Sequence, residues 1–274
     1  MNVHRLRSHT GSFLQYSFLS LAAFISVFPF IWMVICATNT TPDIIRGKLS
    51  LGSALFDNIG SFFTALNVPL IMWNSVKIAV FGTLITLLVS SLAGYGFEMF
   101  RSKLRDKIYA VVLLTLMIPF AALMIPLFLL ISKMGLIDTH VAIVLPTLAS
   151  AFIIFYFRQA SKAFPSALRD AAKMDGLKEW QIFFYIYLPV MRSTFAAAFV
   201  IVFMLNWNNY LWPLIVLQSN DSKTITLVVS SLASAYFPEY GTVMIGTILA
   251  TLPTLLVFFA MQRQFVQGML GSVK

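Results

Sequence analysis

Apolar residues run in long blocks along this chain, and polar residues fall in the gaps between them. A membrane-crossing helix needs about 20 largely apolar residues. Six blocks reach that length: 13–37, 72–97, 108–131, 140–160, 190–217 and 242–262. Pro119, Pro126, Pro146, Pro213 and Pro253 fall in or near these blocks. Each removes a helical hydrogen bond, so each predicts a kink.

The gaps carry the charge, and unevenly. Arg5 and Arg7 precede the first block, and Arg101, Lys103, Arg105 and Lys107 follow the second. Arg158, Lys162, Arg169, Lys173, Lys178 and Arg192 follow the fourth, and Arg263 and Lys274 follow the sixth. The alternate gaps hold only Arg46, Lys48, Lys133 and Lys223. Lys77 lies near the start of the second block, where its long stem reaches outward. Cytoplasmic loops concentrate Lys and Arg, so both termini and the 101–107 and 158–192 gaps are expected in the cytoplasm.

One of those gaps has its own pattern, "LRDAAKMDGLKEWQIFFYIYLP" from Leu168. Pro165 suits the first turn of a helix. Leu168, Ala171 and Ala172 fall at i, i+3 and i+4, a small apolar stripe expected to face outward. Gly176 is placed to end that helix in a left-handed conformation. Trp180, Phe183, Phe184 and Tyr187 then give a second helix an aromatic face, to be buried on the membrane domain. The first helix is a docking ridge for another protein or, equally, one half of an amphipathic interfacial pair.

Composition narrows the class. Of 274 residues, 59% are hydrophobic and 11% charged, against roughly 25% charged in soluble domains. The net charge of +9 therefore fits cytoplasmic loops of a membrane protein rather than a nucleic-acid surface. Cys36 is the one cysteine, which excludes an internal disulfide, and His4, His9 and His140 are scattered, so no metal site is expected. "CATNTT" after the first block is a poor cleavage site, and the block reads as a retained span.

The chemistry that is missing also counts. The chain has no P-loop, no H-E-x-x-H and no G-x-S-x-G. All ten acidic residues fall in gaps or at block ends, so no carboxylate serves an intramembrane proton relay. Energy for uphill transport would have to come from another protein. The residues predict an all-α integral membrane protein of six transmembrane helices, one domain over 1–274 that includes the 165–189 loop.

"DAAKMDG", with the aromatic helix and "LP" after it, resembles the EAA loop of ABC importer permeases. "WNSVKIAVFGTLITLLVSSLAGYGFEMFR", "IPLFLLISKMGLIDTHVAIVLP" and "WNNYLWPL" are similar to segments of maltose-type sugar permeases. "QRQFVQGMLGSVK" looks like the tail of the shorter, MalG-type subunit. Asp170 stands where that loop usually has Glu, which keeps the charge and shortens its reach by one methylene.

The resemblance implies a type I importer (MetI-like) fold with a cytoplasmic EAA coupling helix, in a bacterial inner membrane. It implies a homologous second permease, two ATPase subunits and an extracytoplasmic sugar-binding protein as partners. The chain itself would be no enzyme and bind no cofactor, with ATP and Mg held by the ATPase. Asp170, Ala171, Ala172, Asp175 and Gly176 would dock on that ATPase, and Gln267, Gly268, Gly271 and Lys274 would enter its interface as an extended insert. A frayed terminus is the alternative for the tail.

Asn206, Asn208, Asn209, Tyr210 and Trp212 are candidates for the substrate pathway, since amides bond sugar hydroxyls and rings pack on sugar faces. They equally suit helix–helix bonds and the interfacial aromatic belt. Asp221, Lys223 and Glu239, in the outer loop from Gln218 to Gly241, would meet the binding protein or else mark a solvated connector. The expected cargo is a di- or oligosaccharide. A self-contained channel or secondary carrier for a small neutral solute is the alternative, and a scaffold without transport activity is a third reading.

Overall fold

The computed structural model describes residues 3–269, and no strand occurs among them. The helices in chain order are α1 (Val3–Ala37), α2 (Thr41–Ile45), α3 (Leu55–Ala65), α4 (Val68–Met99) and α5 (Lys103–Leu114). Then come α6 (Phe120–Lys133), α7 (His140–Val144), α8 (Ala151–Ser161), α9 (Ser166–Met174) and α10 (Glu179–Ile182). The last five are α11 (Leu188–Val190), α12 (Arg192–Trp207), α13 (Leu211–Val216), α14 (Ile225–Ala233) and α15 (Tyr240–Met269).

Four spans are long and apolar enough to cross a membrane: Gln15–Ala37, Val68–Met99, Arg192–Val216 and Tyr240–Val266. The third and fourth predicted spans are instead broken. Lys103–Met117 and Phe120–Lys133 meet at 102°, and His140–Thr147 and Ala151–Ser161 meet at 46°. The first break falls at Pro119 and the second just after Pro146, where a proline ring excludes the preceding turn's hydrogen bond. Counting each bent pair as one span gives the six expected.

The chain divides into two compact units. The first comprises the described part of Met1–Asn67 together with Val229–Ala250. Within it the "CATNTT" segment forms a polar knot. Buried Asn39 donates to Ile35 O (2.8 Å) and Ser50 O (2.9 Å), and Asn58 donates to Ala37 O and Asn39 O. Gly241 sits against this knot, and a Cβ there would overlap Asn58 Nδ2. Most of the α1 span, by contrast, is unburied among the described residues, with only its end at Cys36 and Ala37 packed, so its apolar surface needs lipid or another protein.

The second unit comprises Val68–Val228 with the described part of Thr251–Lys274. Its centre is α4, which presents Ala79, Gly82, Thr83, Thr86, Ser90, Ser91 and Gly94 as buried small residues. Small side chains let helices approach closely where burial in lipid supplies little driving force. At Gly94 the approach to α8 leaves no room at all, since a Cβ would lie 2.6 Å from Phe157 Cβ and 2.8 Å from Arg158 N. Arg158 then ties three helix ends together. It lies 2.6 Å from Asp106 and 3.6 Å from Glu98, and its guanidinium sits 3.9 Å from the centre of the Tyr109 ring.

Candidate functional site

The 165–189 segment folds as helix, glycine bend, helix. Pro165 (φ −64°) precedes α9, and two hydrogen bonds close the helix at its other end. Leu177 N–H donates to Ala172 O and Gly176 N–H to Lys173 O, both at 3.0 Å. This pairing is the Schellman closure, which requires a left-handed residue. Gly176 supplies it at φ +81°. Lys178 N–H donates to Gln181 Oε1 (2.8 Å) and starts the next helix.

The predicted outward stripe is divided by the fold. Leu168 and Ala171 are exposed, but Ala172 is buried, at 3%. Adjacent helical residues point about 100° apart, so a stripe narrow enough to dock cannot hold both alanines outward. Asp170, Asp175 and Gly176 are exposed, and Met174, which carries no signal in the local sequence, is 89% exposed at the helix end. The aromatic face is also redistributed. Phe183 and Tyr187 are buried, while Trp180 and Phe184 are exposed. A π-helical turn over Phe183–Tyr187 aligns Phe183 with Tyr187 and leaves Phe184 off that face.

The buried aromatics lock this loop onto the end of α4. Tyr95, Phe164, Phe183, Tyr187 and Met191 form one cluster, and Tyr187 Oη lies 2.6 Å from Ser161 Oγ. Above it sits an ion network centred on Glu179. Arg169 donates to both its oxygens (2.6 and 3.3 Å), Lys173 Nζ lies at 2.9 Å, and Tyr95 Oη donates at 3.1 Å. Burial by itself would raise the Glu179 carboxyl, but the bonds from Arg169, Lys173 and Tyr95 outweigh it and hold the group below its ordinary value. Neither Glu179 nor Tyr95 was marked by the sequence, because their role depends on residues far apart in the chain. Among the described residues Asp170 forms no ion pair, so its charge is turned outward.

The pathway candidates separate into three groups. Asn206 and Asn209 line a cavity of about 510 Å³, and Asn206 Nδ2 donates to Thr83 Oγ1 at 3.3 Å. Asn208 is exposed and bonds back to Met204 O on its own helix (3.0 Å). Tyr210 packs against the apolar core, and Trp212 is fully buried with Nε1–H donating to Ala142 O at 2.8 Å. Trp212 therefore packs in the core of this unit.

The outer-loop candidates belong to different units. Asp221 and Lys223 belong to the second unit, where Asn74 Nδ2 donates to Asp221 O (2.7 Å) and Lys223 O (3.3 Å). Lys223 Nζ itself donates to Asn220 Oδ1 at 2.8 Å. Glu239 belongs to the first unit and accepts from Thr242 Oγ1 at 3.2 Å, at the start of α15. The loop's anchor is a residue the sequence did not mark. Asp138 adopts φ 62° and accepts from the Ser222 hydroxyl, Gln218 N (2.9 Å) and Ser219 N (3.1 Å). The Ser222 hydroxyl above all, against the opposing effect of burial, holds the Asp138 carboxyl well below the usual carboxylate range. In the tail, Gln267 and Gly268 are helical residues of α15 rather than part of an extended insert. Extending an existing helix costs far less than starting one, so a single glycine does not stop it. Gly271 and Lys274 lie outside the described residues.

Known proteins bear on all of this. Residues 86–271 match the family described as binding-protein-dependent transport system inner membrane component. The lactose transport system permease protein LacG of Rhizobium radiobacter is 80% identical over 98% of both chains. The arabinooligosaccharides permease AraQ of Halalkalibacterium halodurans is 35% identical over 92% of both. The sn-glycerol-3-phosphate permease UgpE of Agrobacterium fabrum is 33% identical, over 93% of this chain and 95% of its own. A bacterial ABC transporter involved in import of the acidic polysaccharide alginate contains a chain of like fold, with TM-score 0.76 and 19% identity, covering 94% of this chain and 98% of that one. With the helical span pattern, the glycine-closed loop and relatives matched end to end, the chain belongs to the family of inner-membrane components of binding-protein-dependent transport systems, as a multi-pass, non-catalytic permease.

Proposed function

We propose that this chain is one permease subunit of an ATP-driven importer for a neutral disaccharide or short oligosaccharide, with lactose the first candidate. The observation that carries the reading is 80% identity over nearly the full length to a lactose permease. A second, homologous permease completes the translocation path, two ATPase subunits bind the α9 loop, and an extracytoplasmic binding protein delivers the sugar. ATP and Mg reside on the ATPase. The whole chain works as one transmembrane domain, with 165–189 as its coupling segment and with Gln267, Gly268, Gly271 and Lys274 as tail contacts. The basic residues of 101–107 and 158–192 support a cytoplasmic place for that segment and both termini.

The loop's construction suits force transmission. Leu168, Asp170, Ala171 and Met174 offer a mixed surface for docking, while Glu179 and the buried aromatics join the same helix to α4. ATP can shift such a two-state path only by binding one state more tightly, and a rigid joint lets that preference reach the membrane helices. Uptake of radiolabelled lactose into proteoliposomes, using the complex purified with its native neighbours, tests the reading. ATP- and binding-protein-dependent accumulation is expected. Flux from this chain alone without ATP would replace the reading with a channel or carrier.

A further inference from the structure

The charged residues of α4 are Lys77 and Glu98. Their separation along the helix is about 32 Å, close to the roughly 30 Å of a bilayer's hydrocarbon. Glu98 pairs with Arg101 and Arg158 and so marks the membrane surface at its end. Lys77 then stands at the headgroup level of the opposite leaflet. Exposed Trp73 lies one turn beyond it, with its ring centre 6.0 Å from Lys77 Nζ, as suits an interfacial aromatic.

An apolar groove of about 320 Å³ starts at Lys77. Phe81 and Ile85 of α4 form one wall, and Val141, Leu145 and Leu148, from α7 and the turn after it, form the other. Ile85 lies about 12 Å from Lys77 along the helix, nearly the depth of one leaflet. Phe81, Ile85, Val141 and Leu145 are exposed, so the groove opens to the side, where acyl chains lie. Its polar end holds Lys77 and His140, and no carboxylate lines it. His140 is already engaged, with Nε2 3.1 Å from Ser222 O. Among the described residues Lys77 forms no ion pair. A phosphate matches a cation at headgroup level, and a hydrocarbon chain matches apolar walls one leaflet deep. An apolar helix of another subunit would fill the walls and leave the cation unanswered. We propose that this groove holds one anionic phospholipid, with its phosphate on Lys77 and an acyl chain between α4 and α7.

The complex purified with its native neighbours, stripped of loosely held lipid, tests it. Phosphatidylglycerol and, separately, phosphatidylcholine are titrated in, and bound lipid is counted by native mass spectrometry. One tightly held phosphatidylglycerol per copy of this chain is expected. Its affinity should fall roughly five- to tenfold in Lys77→Gln and recover in Lys77→Arg. Phosphatidylcholine, whose own ammonium offsets its phosphate, should show no such loss. Val141→Trp narrows the groove from an exposed position and should weaken phosphatidylglycerol with Lys77 intact. Equal phosphatidylglycerol affinity in the wild type, Lys77→Gln and Val141→Trp would overturn the site. A photoreactive side chain at Val141 gives an independent readout. Attachment to phospholipid is expected, and attachment to another subunit would make the groove a protein interface instead.

Discussion

Arg169 grips Glu179 at two points, Nη2 on Oε1 at 2.6 Å and Nε on Oε2 at 3.3 Å. The pair closes α9 back onto the turn that follows the glycine bend. Tyr95 Oη, from the end of α4, donates to the same carboxylate. One carboxylate thus joins the exposed docking helix to a membrane span. Glu179→Gln is expected to leave insertion intact and to loosen the loop, which appears as faster limited proteolysis between Arg169 and Lys178. Uptake per ATP hydrolysed should fall in the reconstituted complex. An unchanged cleavage pattern would mean the aromatic cluster alone holds the loop.

The same carboxylate sets a pH dependence. Glu179 is held below its ordinary value of 4.5, so its contribution is complete above that pH. It is lost as the pH falls through the lower, folded value. Protease protection of the loop in the isolated chain should be flat from neutral pH down to about that ordinary value, and should drop in more acid solution. Glu179→Gln should lack this acid-side drop.

Ala171 and Ala172 are neighbours in sequence with opposite surroundings. Ala171→Arg should fold normally and fail to retain the ATPase in a pull-down. Ala172→Arg places an unpaired charge in a packed site, and should cost about 3 kcal/mol or more. That loss would be read as a lower melting temperature of the detergent-solubilised protein. Equal melting temperatures for the two variants would contradict the division of the stripe.

Gly176 combines φ +81° with open space around its missing side chain. Substitution there meets a conformational penalty only. Gly176→Ala should cost about 1–2 kcal/mol, Gly176→Val more, and Gly176→Asn less, since Asn tolerates the left-handed region. Thermal denaturation in detergent gives the order. A ranking by side-chain volume in place of left-handed tolerance would refute the account.

Trp212 donates to Ala142 O from a fully buried position. Trp212→Phe removes that bond and should destabilise by about 1–3 kcal/mol, with the KM for sugar unchanged. A raised KM at unaltered stability would return Trp212 to the substrate path.

Much of this protein follows from local sequence. The six apolar blocks predict the spans, because hydrocarbon leaves a backbone little choice except a helix. Gly176 predicts the left-handed bend, because a glycine after a small amphipathic helix has few other reasons to be there. Pro119 and Pro146 predict irregularities, although the 102° and 46° turns are larger than a kink. Their size depends on which neighbouring residues accept the broken ends.

What the sequence determined alone is the set of properties written over ten or twenty contiguous residues: membrane location, helical class, the loop's glycine-closed shape and the absence of catalytic motifs. Tertiary structure decided which side of each element is used. It turned Ala172 inward and Met174 outward, buried Trp212 while Asn209 lines a cavity, and brought Tyr95 to Glu179 across 84 positions. The physical reason is that burial and hydrogen bonding in these helices are settled by close approach at small residues such as Gly94. The distance at which two helices meet is a property of the pair, and neither sequence segment contains it.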